Sequence, residues 1–264
     1  MAASAPDFYA ALAEHYDELF GCSEQLTRFL VGEGAAPGTR VLDVASGTGA
    51  CTRALLARGV DCYATDLSSR MIERARALAR AHGIDTSRFA VADMREAHRH
   101  RAAPFDLVFC MGNSVSHLAS LDEVEGFVRS ARRAIRARPP GETARTAPGS
   151  LVLQFLDASD LELGAELDLP DLHAPQTVMR RTYRRVTRDR IVFDARLEPS
   201  DGQPLAISQE LLVLATEDVL GALSFGGFAA SEVFGGFDRS PADSQGRLRI
   251  VVARAGDGPV NTSA

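Results

Sequence analysis

Along the first 157 residues, two patterns of apolar and polar positions alternate, one typical of helices and one typical of buried strands. Between stretches with helical spacing, short apolar runs have the composition of buried strands, and they lie at 39–45, 60–66, 87–93, 105–112 and 150–157. The clearest helical stretch is 68–83, where serines precede the pattern and a glycine ends it. Strands that alternate with helices predict a doubly wound, mostly parallel sheet.

The pattern then changes. Residues 158–176 show no clear period, whereas 177–215 alternate between polar and apolar residues around the turn sequence SDG at 200–202. Alternation of this kind is typical of antiparallel hairpins with one buried face. We therefore expect antiparallel strands beside or over the main sheet.

The last part of the chain completes the main sheet. Residues 216–228 have helical spacing, and the apolar stretches 229–237 and 246–256 predict a closing hairpin. We predict an α/β fold with a doubly wound, seven-stranded, mostly parallel sheet and a small antiparallel β insertion that acts as a lid. The predicted segments are 1–157 for the N-terminal helices and the ligand-binding core, 158–208 for the insertion, and 209–264 for the completion of the core.

Composition and charge narrow the class of protein. The 264 residues are 45% hydrophobic and 24% charged, as in an ordinary soluble protein, and the net charge of −6 argues against a nucleic-acid partner. No apolar run reaches the roughly 20 residues that span a bilayer, and the N-terminus lacks a signal-peptide pattern. The cysteines share no metal-ligand spacing; they are Cys22, Cys51, Cys62 and Cys110. We predict a cytoplasmic protein with free thiols, no membrane partner and no metal.

A glycine loop follows the first predicted strand. The sequence VLDVASGTGACT at 41–52 places Asp43 within the strand, with Gly47 and Gly49 after it. Asp66 ends the second strand, 23 residues after Asp43, where an acid can hold ribose hydroxyls. The third glycine of a dinucleotide fingerprint is absent, and a carboxylate at Asp43 would repel a pyrophosphate. The loop therefore favours a cationic ligand without phosphate, such as S-adenosylmethionine.

These residues, together with the sequence VADM at 91–94, resemble class I S-adenosylmethionine-dependent methyltransferases over residues 41–157. The resemblance implies a Rossmann-like fold and S-adenosyl-L-methionine as the cofactor. It also implies that the glycine loop carries the methionine moiety, that Asp66 binds both ribose hydroxyls, and that Leu67 packs on adenine. The residues expected at the cofactor are Tyr9, Asp43, Ala45, Gly47, Gly49, Asp66, Leu67, Met71, Asp93, Met94, Met111 and Gly112.

A narrower resemblance lies at the fourth predicted strand. The sequence FDLVFCMGNSVSHL at 105–118 is similar to the segment that follows this strand in glycine/sarcosine N-methyltransferases, and the chain also resembles the sugar N,N-dimethyltransferases. The resemblance implies that Asn113 reaches the acceptor and that His117 lies by the methionine end of the cofactor. With Tyr16 from the first predicted helix, these are the expected catalytic residues.

Some of these residues have structural alternatives. Asp66 could cap the helix that follows it, although the serines after it could do so instead, and Asp93 could cap a loop. Tyr9 and Tyr16 lie seven residues apart on one face of the first predicted helix. They could pack in the core, or they could close on the sulfonium, since an aromatic face attracts a cation.

The expected reaction is methyl transfer to a small-molecule acceptor, most simply an amine nitrogen, which needs only to be unprotonated. Transfer to oxygen or carbon, the alternative, would require a base, and the candidates are His15, His117 and His173. A second alternative is a non-catalytic subunit that binds S-adenosylmethionine. We expect a monomer or a homodimer.

Overall fold

The computed structural model describes residues 12, 16–137, 149–200, 202–243 and 246–256. Residues 16–20 are helical. The helices that follow are α1 (Glu24–Gly32), α2 (Ala50–Leu56), α3 (Ser69–Ala81), α4 (Leu121–Ala134) and α5 (Thr216–Phe225). The strands are β1 (Arg40–Val44), β2 (Asp61–Asp66), β3 (Phe89–Val91), β4 (Leu107–Cys110), β5 (Ser150–Leu156), β6 (Glu166–Ala174), β7 (Thr177–Arg185), β8 (Arg190–Pro199), β9 (Leu205–Leu212), β10 (Phe228–Phe234) and β11 (Leu248–Ala255).

Seven strands form the main sheet, in the order β10-β11-β5-β4-β1-β2-β3. Strands β1 to β5 run parallel to one another, whereas β11 is antiparallel to both β5 and β10. The predicted fold class is therefore confirmed, including the closing hairpin. Strands β2 and β3 lie on one side of β1, and the next strand in the sequence, β4, lies on the other side. The strand order therefore reverses at the carboxyl end of β1. Ligands of doubly wound sheets bind at such a point.

Helices cover both faces of the main sheet, which explains why its central strands are continuous apolar runs. In β4, Val108 and Cys110 pack in the cluster that includes α4 and α5, while Leu107 and Phe109 pack in the cluster that includes α1. Serine side chains cap α1, α3 and α4: Ser23 accepts from the Leu26 amide at 3.1 Å, for example. Side chains that alternate between two apolar layers fix the strand register and thereby the positions of the loops at the carboxyl edge.

Strands β6 to β9 form a separate antiparallel sheet in chain order, which we call the insertion sheet. Its first strand lies where the sequence shows no clear period, because a bulge between Leu169 and Leu172 breaks the alternation of apolar residues. Its last strand extends to Leu212, beyond the predicted boundary at 208. The division of the chain into three segments remains a prediction.

One face of the insertion sheet is buried, and we call it the inner face. Near one end, Met179, Leu197 and Ile207 pack with Leu19 of the N-terminal helical residues. Near the other end, apolar residues of the same face pack with Ala158 and Val213, which flank the sheet in the sequence. The residue at position 173, His173, is exposed and alternates with inner-face Leu172 and Ala174, so it lies on the outer face.

Candidate active site

The glycine loop turns the chain from β1 into α2. Three of its residues have left-handed backbone angles: φ is 54° at Ala45, 56° at Gly47 and 75° at Gly49. A Cβ at Gly47 would lie 2.7 Å from Tyr16 Cε1, and one at Gly49 would lie 2.6 Å from Phe89 Cε1. Both positions therefore require glycine, for conformation and for space.

Asp66 connects the glycine loop to the end of β2. Its Oδ2 accepts from the Gly47 amide at 2.8 Å and its Oδ1 accepts from the Ser68 amide at 2.8 Å. The N-cap of α3 is Ser68, whose hydroxyl accepts from the amide of Met71, so Asp66 is not the cap. Burial raises the pKa of Asp66. Each carboxylate oxygen keeps a second lone pair that can accept from a ligand hydroxyl.

An apolar surface flanks Asp66 at the carboxyl edge of the sheet. Leu67 is 72% exposed and Val91, which pairs with Asp66 across β2 and β3, is 49% exposed. Exposed apolar side chains that lie side by side are found in ligand-binding grooves, and they offer a platform to a flat ring. The predicted packing of Leu67 on adenine fits this position.

Asp93 caps the turn of helix that begins at Met94. Its Oδ1 accepts from the Arg95 amide at 2.8 Å, and its Oδ2 lies 2.5 Å from Arg95 Nη2. Arg95 also pairs with Glu123 at 2.5 Å. The bonds from Arg95 lower the pKa of Asp93. The structure thus shows the capping role of Asp93, and its contact with adenine remains a prediction.

Asp43 lies underneath the loop. It is 3% exposed, and its Oδ2 accepts from the hydroxyl of Thr52 at 2.9 Å. Desolvation raises its pKa well above the usual value. Two other residues expected at the cofactor also lie inward, because Met71 is 4% exposed in α3 and Met94 packs against the main core.

The loop after β4 forms the other side of the site. The amide of Gly112 donates to Gln154 Oε1 at 3.0 Å, and Met111 before it is half-buried. The Asn113 carboxamide joins three elements: its Oδ1 accepts from Ser116 Oγ and from the Leu156 amide, both at 3.0 Å, and its Nδ2 donates to the Tyr183 hydroxyl at 3.0 Å. Asn113 therefore fastens this loop to β5 and to the insertion sheet.

His117 follows in the same loop and contacts β9. Gln209 Nε2 lies 3.1 Å from His117 Nδ1. Because an amide nitrogen can only donate, Nδ1 accepts this bond and Nε2 carries the proton of the neutral ring. The ring is exposed, yet desolvation by the surrounding protein lowers the pKa of His117. His117 is therefore neutral at pH 7 and presents a donor.

The N-terminal helical residues 16–20 lie between the glycine loop and the insertion sheet. The ring of Tyr16 packs on Gly47, and Asp17 accepts from the hydroxyl of Thr48 and pairs with Arg53. Tyr16 thus contacts the loop that it was predicted to cover. Tyr9 and His15 lie outside the described residues.

Several residues of the site were missed by the sequence reasoning. Arg181, Tyr183 and Gln209 occupy inner-face positions in β7 and β9, where the register otherwise places apolar residues. A polar residue in an apolar register was the available signal. Ser46 was also missed: its hydroxyl is buried in the glycine loop and has no hydrogen-bond partner among the described residues.

The residues at this edge fit S-adenosylmethionine. Ser46 offers an unsatisfied hydroxyl, Asp66 offers two acceptors, and Leu67 offers an apolar platform. None of these three features requires a ligand that carries a phosphate group. Within the described ranges, no group of three or more His, Cys, Asp or Glu residues is placed to hold a metal ion. No helix in the described part of the chain is long and apolar enough to cross a membrane.

Known proteins share parts of this sequence. Residues 41–138 match the family model described as Methyltransferase domain. A glycine/sarcosine N-methyltransferase from Parasynechococcus marenigrum (strain WH8102) is 42% identical over 78 residues, 30% of this chain and 27% of that protein. A demethylmenaquinone methyltransferase from Mycobacterium sp. (strain KMS) is 36% identical over 107 residues, 39% of this chain and 42% of that protein. The chain thus spans about a quarter to two fifths of the length of these curated relatives.

The fold is shared more widely than the sequence. An S-adenosylmethionine-dependent methyltransferase from Clostridium acetobutylicum ATCC 824 superposes with a TM-score of 0.75 at 17% identity, over 94% of this chain and 99% of that chain. Residues 41–138 thus match the methyltransferase domain, and the described chain has the fold of class I S-adenosylmethionine-dependent methyltransferases. These findings support the predicted class of enzyme, a methyltransferase, and the predicted cofactor, S-adenosylmethionine.

Proposed function

We propose that this protein transfers a methyl group from S-adenosylmethionine to a nitrogen of a small-molecule acceptor. The observation that carries the choice of nitrogen is the bond between Gln209 and His117. It occupies the ring nitrogen that would accept a proton, so His117 places an acceptor by donating from Nε2. An amine acceptor needs no base, because its free form already has the attacking lone pair.

The cofactor side of the site consists of the glycine loop, Asp66 and Leu67. Asp66 would accept from the ribose hydroxyls, Leu67 would support the adenine ring, and Ser46 would donate or accept at the methionine end. When bound, the cofactor supplies a methyl carbon activated by a positively charged sulfur. The expected contacts of Tyr9, Asp43, Ala45, Met71, Asp93, Met94, Met111 and Gly112 belong to this proposal.

The acceptor side consists of the loop after β4 and the inner face of the insertion sheet. Because Asn113 is held by three elements, we propose that it acts as a positioning residue that fixes the loop bearing His117. Tyr16 would close the site from the N-terminal side. Such fixation favours catalysis by proximity, which contributes roughly 7–11 kcal/mol in well-oriented reactions.

The relatives support both this proposal and its alternative. The glycine/sarcosine enzyme is named for transfer to nitrogen, while the demethylmenaquinone enzyme has a different acceptor. Transfer to carbon or oxygen would require the His117 ring to turn its lone pair towards the acceptor and to act as a base.

The substitution His117→Gln distinguishes these cases, in a methyl-transfer screen over amines, phenols and enolisable ketones. For an amine, we expect a loss of less than about 10-fold in kcat/KM, since glutamine still donates a hydrogen bond, whereas loss of a true base costs roughly 10²–10⁴-fold. If His117 acted as a base, its lowered pKa would also give a pH dependence, because only the neutral ring accepts a proton. The rate would rise with pH below about 6.5 and stay constant above it. For an amine, the rate should instead follow the pKa of the amine itself.

His173→Gln is the matched control, because it makes the same change on the outer face. A loss of 10²-fold or more in His117→Gln alone, together with disappearance of the acid limb, would favour transfer to carbon or oxygen. A protein that binds S-adenosylmethionine but methylates nothing in the screen would favour the non-catalytic alternative.

A further inference from the structure

Three polar residues, which we call the polar band, lie among apolar residues on the inner face of the insertion sheet: Arg181 and Tyr183 in β7 and Gln209 in β9. On one side of the band lies the apolar cluster around Met179 and Leu197, and on the other lies the cluster around Ile191 and Leu211. Residues that pair side by side across the four strands form a row, which we call a rung. Two neighbouring rungs, where the two clusters meet, contain the polar side chains. The rungs are Leu169, Arg181, Ala195 and Ile207, and Leu167, Tyr183, Phe193 and Gln209.

Arg181 is the charged member of this band, and it is incompletely bonded. Its Nη2 donates to the carbonyl of Pro170 at 2.8 Å, but its Nε is buried and has no hydrogen-bond partner among the described residues. The other members of its rung are apolar. A buried guanidinium donor without an acceptor is costly, and a bound anion that supplies the acceptor is one explanation for its retention.

The neighbouring acid Asp171 attracts Arg181 electrostatically, but its ion pair is with another arginine. The carboxylate of Asp171 pairs with Arg180, whose side chain is on the outer face, at 3.2 Å. Burial lowers the pKa of Arg181, but a guanidinium stays protonated in proteins. A positive charge therefore remains on the inner face.

The second polar rung connects this charge to the acceptor side of the site. Tyr183 bonds to Asn113, and Gln209 bonds to His117. Arg181 is two residues from Tyr183 along β7, a distance of roughly 7 Å on the same face. An acceptor that lies along these residues would place its nitrogen near His117 and its other end near Arg181.

We propose that Arg181 binds an oxyanion, a carboxylate or a phosphate, carried by the acceptor. The inference rests on the proposed function and narrows it to amines that also bear a negative charge. Arginine suits this role because its Nε and one Nη can bind two oxygens of the same anion.

The first test compares amines with neutral analogues in the wild-type protein. The pairs are glycine with glycinamide and 4-aminobutyrate with its amide for a carboxylate, and glucosamine 6-phosphate with glucosamine for a phosphate. Rates are compared per unprotonated amine, because the analogues differ in amine pKa. We expect the anionic member of one pair to be favoured roughly 10–100-fold, mainly through KM, as for hydrogen bonds between charged groups. The pair that shows the preference identifies the source of the oxyanion.

The second test uses Arg181→Gln, with Arg180→Gln as the matched control on the opposite face of the same strand. Arg181→Gln should abolish the preference for the anionic member, whereas Arg180→Gln should keep it. Calorimetry on protein saturated with S-adenosylhomocysteine should show the same dependence in binding of the anionic acceptor without turnover. Affinity for S-adenosylhomocysteine itself should be unchanged in both variants.

Equal use of both members of every pair by the wild-type protein overturns the proposal, as does equal behaviour of the two variants. If Arg181→Gln fails to fold, Arg181→Lys keeps the charge without the planar fork, and it should keep part of the preference. Methylation of amines without any preference overturns the role of Arg181 alone. Binding of the anions through Arg181 with no methylation of any amine overturns the proposed function alone.

Discussion

At the scale of single residues, Ala45 occupies a backbone conformation that alanine rarely adopts. Its φ of 54° is left-handed, which costs an L-residue about 1–2 kcal/mol, while glycine costs about 0.5–1 kcal/mol in unfolded-chain entropy. Ala45→Gly should therefore raise the free energy of unfolding by about 0.5–1 kcal/mol, measured by urea denaturation. Gly47→Ala, where a Cβ meets Tyr16 at 2.7 Å, should lower it. A destabilised Ala45→Gly protein would show that the loop has another conformation in solution.

Residues that must satisfy local geometry were predictable from the sequence. Gly47 and Gly49 have left-handed φ values, and Asp66 ends a strand beside them, so residue type and spacing were enough to place them. Arg181 and Gln209 were not placed, because their function depends on strands that pair far along the chain. Their exact neighbours follow from register, which the sequence pattern fixes only after the strands are known.

At the scale of elements, one carboxamide links the loop after β4, the strand β5 and the insertion sheet. Asn113→Gly keeps the left-handed conformation, whose φ is 64°, and removes only the side chain. The amide of Leu156 and the hydroxyl of Ser116 then lose their acceptor, and we expect the free energy of unfolding to fall by about 2–4 kcal/mol. Tyr183→Phe breaks one of these links and should cost about 1 kcal/mol. Urea denaturation of both variants tests this, and a change within about 0.5 kcal/mol for Asn113→Gly would contradict the linking role.

Elements with a regular period were predicted and those without one were not. The inner strands β1, β4, β5 and β11 of the main sheet are visible as apolar runs, since both of their faces are buried. Strand β6 was missed because its bulge shifts the apolar residues from one alternate set to the other between Leu169 and Leu172. Because a strand is recognised in a sequence by a fixed alternation of apolar residues, the shift hides β6.

At the scale of the whole molecule, the glycine loop is held by parts of the chain that are distant in sequence. Tyr16 and Asp17 contact it from the N-terminal helix, and Asp66 binds it from β2. Leu19, in the same helical segment, packs against the insertion sheet. Because the cofactor site forms only when these parts are assembled, a ligand of that site should bind the folded state alone and stabilise the entire chain.

Thermal unfolding with S-adenosylhomocysteine measures this coupling. At about 100 times its Kd, the ligand should add about 2.7 kcal/mol to the free energy of unfolding, and raise the Tm by about 5–10 °C for a chain of this size. NAD at the same concentration should leave the Tm unchanged. Asp66→Ala should lose most of the shift, because the acceptors for the ribose hydroxyls are gone. Asp61→Ala is the matched control at the opposite end of β2, where Asp61 pairs with Arg40 and Arg88; it should lower the Tm of the free protein and keep the shift. A shift with NAD, or a full shift in Asp66→Ala, would show that Asp66 is not at the cofactor.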